Sequence, residues 1–277
     1  DVSSPRYGGR GPQVVGVAWA FFVVATVVMA LRFYTGWFIT RRLRWDFHWA
    51  VITYILATVN ACFFTISASW GVGNHSDVLN KQDIVNAGRW QWIGLPLGVI
   101  APGTGKLAIV AFILQLQGRT NFRKSLVLHV IAWSNMIFDI LQCIMIYQQC
   151  DPPRKLWDEG VPGNCRLLHT GTSIGVFVGS FSAASDLALA IYPLFIFWDL
   201  NMSWKKKLSL WGLFLGGVVA SIAAIIKTVN VLTIRTAADK TYATSPLLIW
   251  SMVEFWLIIL VGSIPPLRPL FLKGLRR

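Results

Sequence analysis

Charge is scarce in this chain. Only 13% of its 277 residues are Asp, Glu, Lys or Arg, against about 25% in a soluble globular domain. That deficit excludes an ordinary surface that faces water on all sides. No segment alternates apolar and polar residues over the ~10 positions that a lipid-facing barrel strand requires, which excludes a membrane β-barrel. The four histidines, His48, His75, His129 and His169, are scattered, and no nucleophile–base spacing or metal motif occurs. Neither hydrolase chemistry nor a metal site is expected. Acidic residues number 12 against 25 basic ones, and in a soluble chain such a surplus would point to nucleic acid. Here the basic residues form short clusters between long apolar runs, so a lipid bilayer is the expected partner and nucleic acid is not.

Mean hydropathy is +0.57 and 55% of residues are hydrophobic. A bilayer core needs about 20 mostly apolar residues per helix. Seven stretches qualify: 14–38, 47–69, 89–116, 125–148, 171–197, 207–236 and 245–265. The expected fold is all-α, a seven-transmembrane helix bundle over residues 14–270. A Gly/Pro-rich polar tail over 1–13 precedes it and a basic tail over 271–277 follows. The chain opens on Asp1 rather than Met, and a processing boundary is expected there.

Loop charges predict orientation. Arg41, Arg42, Arg44, Arg119, Arg123, Lys124, Lys205 to Lys207, Arg268, Lys273, Arg276 and Arg277 share one side with only Asp46 and Asp199. The other side mixes nine basic with seven acidic residues. The first side is expected to be cytoplasmic, which puts the N-terminus outside and the C-terminus inside. Tryptophans cluster near predicted span ends, where indole favours the headgroup layer. Cys150 and Cys165 both fall in the outer loop between spans four and five. A disulfide between them is expected; it would close a loop of about 16 residues and contribute roughly 3 kcal/mol. Cys62 and Cys143 fall inside spans and are expected to be buried thiols. The Asn74-His75-Ser76 sequon lies outside, and Asn201-Met202-Ser203 lies inside.

Small residues follow helical spacing in two spans. Gly171, Gly175, Gly179, Ser182, Asp186, Ala190 and Pro193 share one face of span five; Gly212, Gly216, Ala220, Ala223, Lys227 and Asn230 share one face of span six. Such stripes let helix backbones approach closely in lipid, so Asp186 and Lys227 should face protein. Six ionisable residues lie within spans: Arg32, Lys106, Asp139, Asp186, Lys227 and Glu254. Each costs about 2.5–3.5 kcal/mol at a helix centre on insertion scales. Depth along the spans predicts Lys106 paired with Asp186, and Lys227 with Asp139 or Glu254. Arg32, nearer the cytoplasmic end, is expected to snorkel. Lys106 stands in the stretch APGTGKLAIV, which superficially suggests a phosphate loop. Ile100 and Leu107 occupy positions where that loop needs Gly and Ser or Thr, so this reading is rejected. Pro102, Gly103 and Gly105 are instead expected to bend span three and leave Lys106 lining an internal cavity.

The order of several short motifs resembles the fungal rhodopsin-domain family of integral membrane proteins over nearly the whole chain. They are Arg32-Phe33-Tyr34; Gly71-Val72-Gly73-Asn74-His75; Gly105-Lys106; Cys150-Asp151-Pro152 with Trp157 and Cys165; Asp186 with Tyr192-Pro193; Lys205 to Lys207; and Trp250, Glu254 and Ile264-Pro265-Pro266-Leu267-Arg268-Pro269-Leu270. Two positions depart from the family's tendencies: Phe47 follows Asp46 where paired aspartates are frequent, and Lys227 stands where Arg is frequent. The resemblance implies a receptor-like protein. A small hydrophobic or amphipathic ligand would bind among Lys106, Asp139, Asp186, Lys227 and Glu254, and basic cytoplasmic loops would meet a signalling partner. The alternative it admits is a membrane-embedded biosynthetic enzyme, an acid/base cyclase or isomerase of a lipophilic secondary metabolite. Glu254 or Asp186 would then be the catalytic acid and Lys106 the base or oxyanion partner. No cofactor is expected, retinal included, because span seven carries no lysine for a Schiff base. A transporter or channel is disfavoured by the lack of inverted repeats and of a ring of like charges.

Overall fold

The computed structural model of the chain describes residues 7–42, 44–117, 122–197, 204–236 and 239–274. Asp1, Arg6, Arg119, Asp199, the Asn201–Ser203 sequon, Arg276 and Arg277 lie outside the described residues. Seven long helices run in order: α1 (Gly11–Tyr34), α2 (Trp45–Ser69), α3 (Lys81–Gln117), α4 (Phe122–Gln148), α5 (Leu168–Phe197), α6 (Trp204–Thr236) and α7 (Lys240–Gly274). Each is long and apolar enough to cross a membrane. At about 1.5 Å per residue, the shortest still exceeds a hydrocarbon core of about 30 Å. A helix closes its own backbone hydrogen bonds, which is what lipid demands of any spanning segment.

Consecutive helices pack side by side and α7 closes the ring against α1, while α3 also touches α5 and α7. The most apolar window of α3 is 72% buried and that of α7 is 61%; these two run through the middle. The buried face of α2 consists largely of small residues, Ala50, Thr53, Ala57, Asn60, Ala61, Ser67 and Ala68, whereas Ile52, Ile55, Val59 and Ile66 are exposed toward the lipid side. Branched apolar chains thus face acyl tails, and small ones face protein. Cys62 is exposed rather than buried, because it sits off that small-residue face. Cys143 is half-buried, with its thiol 3.7 Å from the Pro96 carbonyl.

The two predicted stripes meet each other and α7. A methyl group on Gly179 would collide with Thr228, one on Gly217 with Ala190, and one on Gly216 with Val261. Helix α3 runs unbroken through Pro96 and Pro102. Pro96 supplies no N–H to the Trp92 carbonyl, which accepts the Tyr147 hydroxyl of α4 instead at 3.2 Å.

The face that carries the start of α1 is tied by four devices. The Cys150–Cys165 disulfide closes the α4–α5 loop, and reciprocal Asp151–Asn164 backbone hydrogen bonds of 2.9 and 3.0 Å lie beside it. Trp157 of that loop packs over Gly88 of α3. Gly73, at φ +101°, offers its carbonyl to the Arg10 N–H at 2.9 Å. The His75 ring donates to Asp239 at 2.8 Å and stacks on Tyr242, whose ring also lies under the Arg10 guanidinium. Partial burial pushes the Asp239 carboxyl up, but the hydrogen bonds from His75 and from the Tyr242 and Ser76 N–H groups outweigh it. Asp239 is thereby held below the ordinary carboxylate range.

Because Val261 already fills the space a side chain at Gly216 would need, Gly216→Val should destabilise the bundle by about 1–3 kcal/mol. Gly16→Val, where nothing lies within 4 Å, should leave thermal unfolding in detergent unchanged. Equal melting temperatures for the two variants would contradict the α6–α7 packing.

Candidate functional site

Lys106 is fully buried. Its side chain leaves α3 and its ammonium lies against α4 and α5. Nζ donates to the Ser182 Oγ at 2.7 Å, the Ser182 carbonyl at 2.8 Å and Asn135 Oδ1 at 3.2 Å. Asp186 Oδ1 is 3.3 Å away. Four acceptors surround three protons. Lys106 therefore lines no cavity, contrary to the expectation from the Pro102–Gly105 stretch. Gly103 and Gly105 instead admit neighbours, with Asp139 of α4 against Gly103 and Ile258 of α7 against Gly105.

Ser182 extends the cluster. Its hydroxyl donates to Glu254 Oε1 at 3.2 Å, and Glu254, fully buried on α7, pairs with Lys227 of α6. The result is an alternating relay: Lys227, Glu254, Ser182, Lys106, Asp186. Asn135 brings in α4 and is itself oriented, its amide donating to the Ile131 carbonyl and to Ser185 Oγ, both at 2.8 Å. Five helices, α3 to α7, meet on this chain of contacts. The pairings Lys106–Asp186 and Lys227–Glu254 match the depth expectation. Asp139 does not pair: it is 6% exposed, lies against Gly103, and makes no hydrogen bond or ion-pair contact among the described residues. A cavity of about 20 Å³ adjoins the cluster, with Asp186 as its one ionisable wall amid Ile109, Leu189, Leu213 and Ile258. That is room for about one water.

Arg32 corrects the snorkelling expectation. It is 4% exposed and its Nη2 lies 2.7 Å from Asp46 Oδ2, with Ser263 at 3.2 Å. Asp46 opens α2 beside the end of α1, and a paired guanidinium has no need of water. Hydropathy placed Asp46 outside its span, which concealed it as a partner. Asn135 and Ser182 join the site although the sequence pattern alone does not single them out. Asn135 stands one turn before Asp139 on α4, a legible signal, whereas Ser182 lies within the small-residue stripe of α5 and reads as packing.

Oppositely charged groups gathered inside seven apolar helices define a multi-pass integral membrane protein. This chain belongs to the fungal rhodopsin domain family, whose model matches residues 31–273. It is 28% identical over 144 residues to Fugralins biosynthesis cluster protein 2 of Gibberella zeae, covering 48% of this chain and 35% of that protein. Wortmanamides biosynthesis cluster protein C of Talaromyces wortmannii is 26% identical over 248 residues, 88% of this chain and 66% of that one. A SAT4 family membrane protein of Emericella nidulans is 28% identical over 179 residues, 62% of this chain and 44% of that one. The chain therefore spans between about a third and two thirds of the length of these relatives. No solved structure matches it.

Removing Lys227 would leave Glu254 charged, buried and unpaired, a change that typically costs about 3–5 kcal/mol. Lys227→Met should lower the melting temperature markedly, and Lys227→Met combined with Glu254→Gln should recover most of the loss. A double variant as unstable as the single one would show that the pair contributes no coupling.

Proposed function

We propose that the chain is a receptor-like membrane protein that binds a small hydrophobic or amphipathic ligand among Lys106, Asp139, Asp186, Lys227 and Glu254. The observation that carries this reading is the closed relay: its two ammonium groups are each already matched with a carboxylate, and the adjoining space holds about one water. A ligand that competes for one member of the relay would loosen contacts among five helices at once. It shifts the bundle only by its preference for the opened arrangement. The basic face, with Arg41 and Arg42, is the side offered to a cytoplasmic signalling partner. The charge distribution of the loops supports an outside N-terminus and an inside C-terminus.

The names of two relatives, both biosynthesis cluster proteins, favour a second reading as an acid/base cyclase or isomerase. An enzyme needs an open cavity at a carboxyl group to admit its substrate, and the relay here is enclosed. The two readings separate when purified protein in nanodiscs is incubated with the lipophilic products of its genomic neighbours and followed by mass spectrometry. Saturable binding without turnover is expected. Turnover that disappears in Glu254→Gln or Asp186→Asn would replace the receptor with the enzyme. Orientation is tested in sealed microsomes: protease should remove a tag placed after Arg277 without detergent, and protection of that tag would reverse the topology.

A further inference from the structure

The buried cluster is unbalanced. Lys106 and Lys227 supply two positive charges; Asp139, Asp186 and Glu254 supply three carboxyl groups. Each ammonium is matched with one carboxylate, which leaves Asp139 over. Hydrogen-bonding capacity is unbalanced in the same direction. All three Lys106 protons are engaged and both Asn135 amide protons are taken. Lys227 keeps spare protons but no spare charge, because Glu254 neutralises it. The unmet groups are acceptors: Asp186 Oδ2 is buried without a hydrogen bond, and the carboxyl group of Asp139, a residue only 6% exposed, has neither a hydrogen bond nor an ion-pair contact among the described residues.

We infer that the ligand's polar end is a cation, a lipophilic amine, with Asp139 as its counter-ion and Asp186 Oδ2 as a second acceptor. This rests on the ligand-binding reading above and adds the chemical class to it. A buried ion is tolerated where it is paired and hydrogen-bonded, and a monocation brings the cluster to three charges of each sign. A carboxylate ligand would bring no counter-charge to Asp139 and would meet an ammonium already held by four acceptors. Apolar side chains of α3, α5, α6 and α7 beside Asp186 suit an alkyl body.

The test uses three probes with one alkyl chain: dodecylamine, dodecanol and dodecanoate, each titrated into the protein in uncharged phosphatidylcholine nanodiscs, with thermal unfolding as readout. Dodecylamine should raise the melting temperature saturably and bind at least about tenfold tighter than dodecanol, as expected of a charge-assisted hydrogen bond. Dodecanoate should bind no better than dodecanol. Asp139→Asn, isosteric and less charged, should bring amine affinity down to that of the alcohol. Dodecanoate binding as tightly as dodecylamine to the unaltered protein overturns the amine assignment and leaves a ligand site standing, a comparison that needs no variant to fold. Amine affinity unchanged in Asp139→Asn overturns the role of Asp139. Saturable binding by none of the three removes the ligand site itself and the amine with it.

Discussion

An ammonium group in hydrocarbon must find its counter-charge inside the protein, and the arrangement of this bundle follows from that constraint. Lys106 has no route to water from the middle of α3, so α4 and α5 come to it with Asn135, Ser182 and Asp186. Ser182 then passes the requirement to Glu254, and Glu254 to Lys227. Without such partners each group would cost several kcal/mol; with them, the same charges specify which helix faces meet. The relay is also costly to leave half-made, because an orphaned buried charge is worse than none.

Packing serves the same end by different means. Lipid tails are as apolar as the helices, so association depends on close contact rather than on escape from water. Gly179 and Gly217 bring α5 and α6 close, Gly216 brings α6 against Val261 of α7, the helix whose Glu254 pairs with Lys227, and glycines on α3 open room for Asp139 and Ile258. At the other end of the bundle Arg32 and Asp46 form a second, separate buried pair that joins α1 to α2 and, through Ser263, to α7. The disulfide loop and the Arg10–Tyr242–His75–Asp239 stack cross-link the opposite face. The centre of the bundle is thus polar and enclosed between two strapped ends.

Membership of the fungal rhodopsin domain family agrees with this architecture, and two relatives bear biosynthesis cluster names. The relay differs from a solvent-filled catalytic pocket in one physical respect: its charged groups already satisfy one another. The exception is the acidic remainder, Asp139 and the free oxygen of Asp186, which gives the site a chemical polarity.

Helix number, the approximate spans and the small-residue stripes were legible in the sequence, because apolar run length and helical periodicity are local properties. The disulfide was legible because two cysteines share one short loop. Depth along each helix even selected Lys106 with Asp186 and narrowed Lys227 to two partners, since rise per residue is fixed. What depth alone left open was rotation about each helix axis and the distance between helices. Those decided that Glu254 rather than Asp139 takes Lys227, that Asp46 draws Arg32 inward, that Cys62 faces outward, and that Lys106 is enclosed instead of lining a cavity. Such choices arise when all seven helices compete for the same interior, and no single segment contains them.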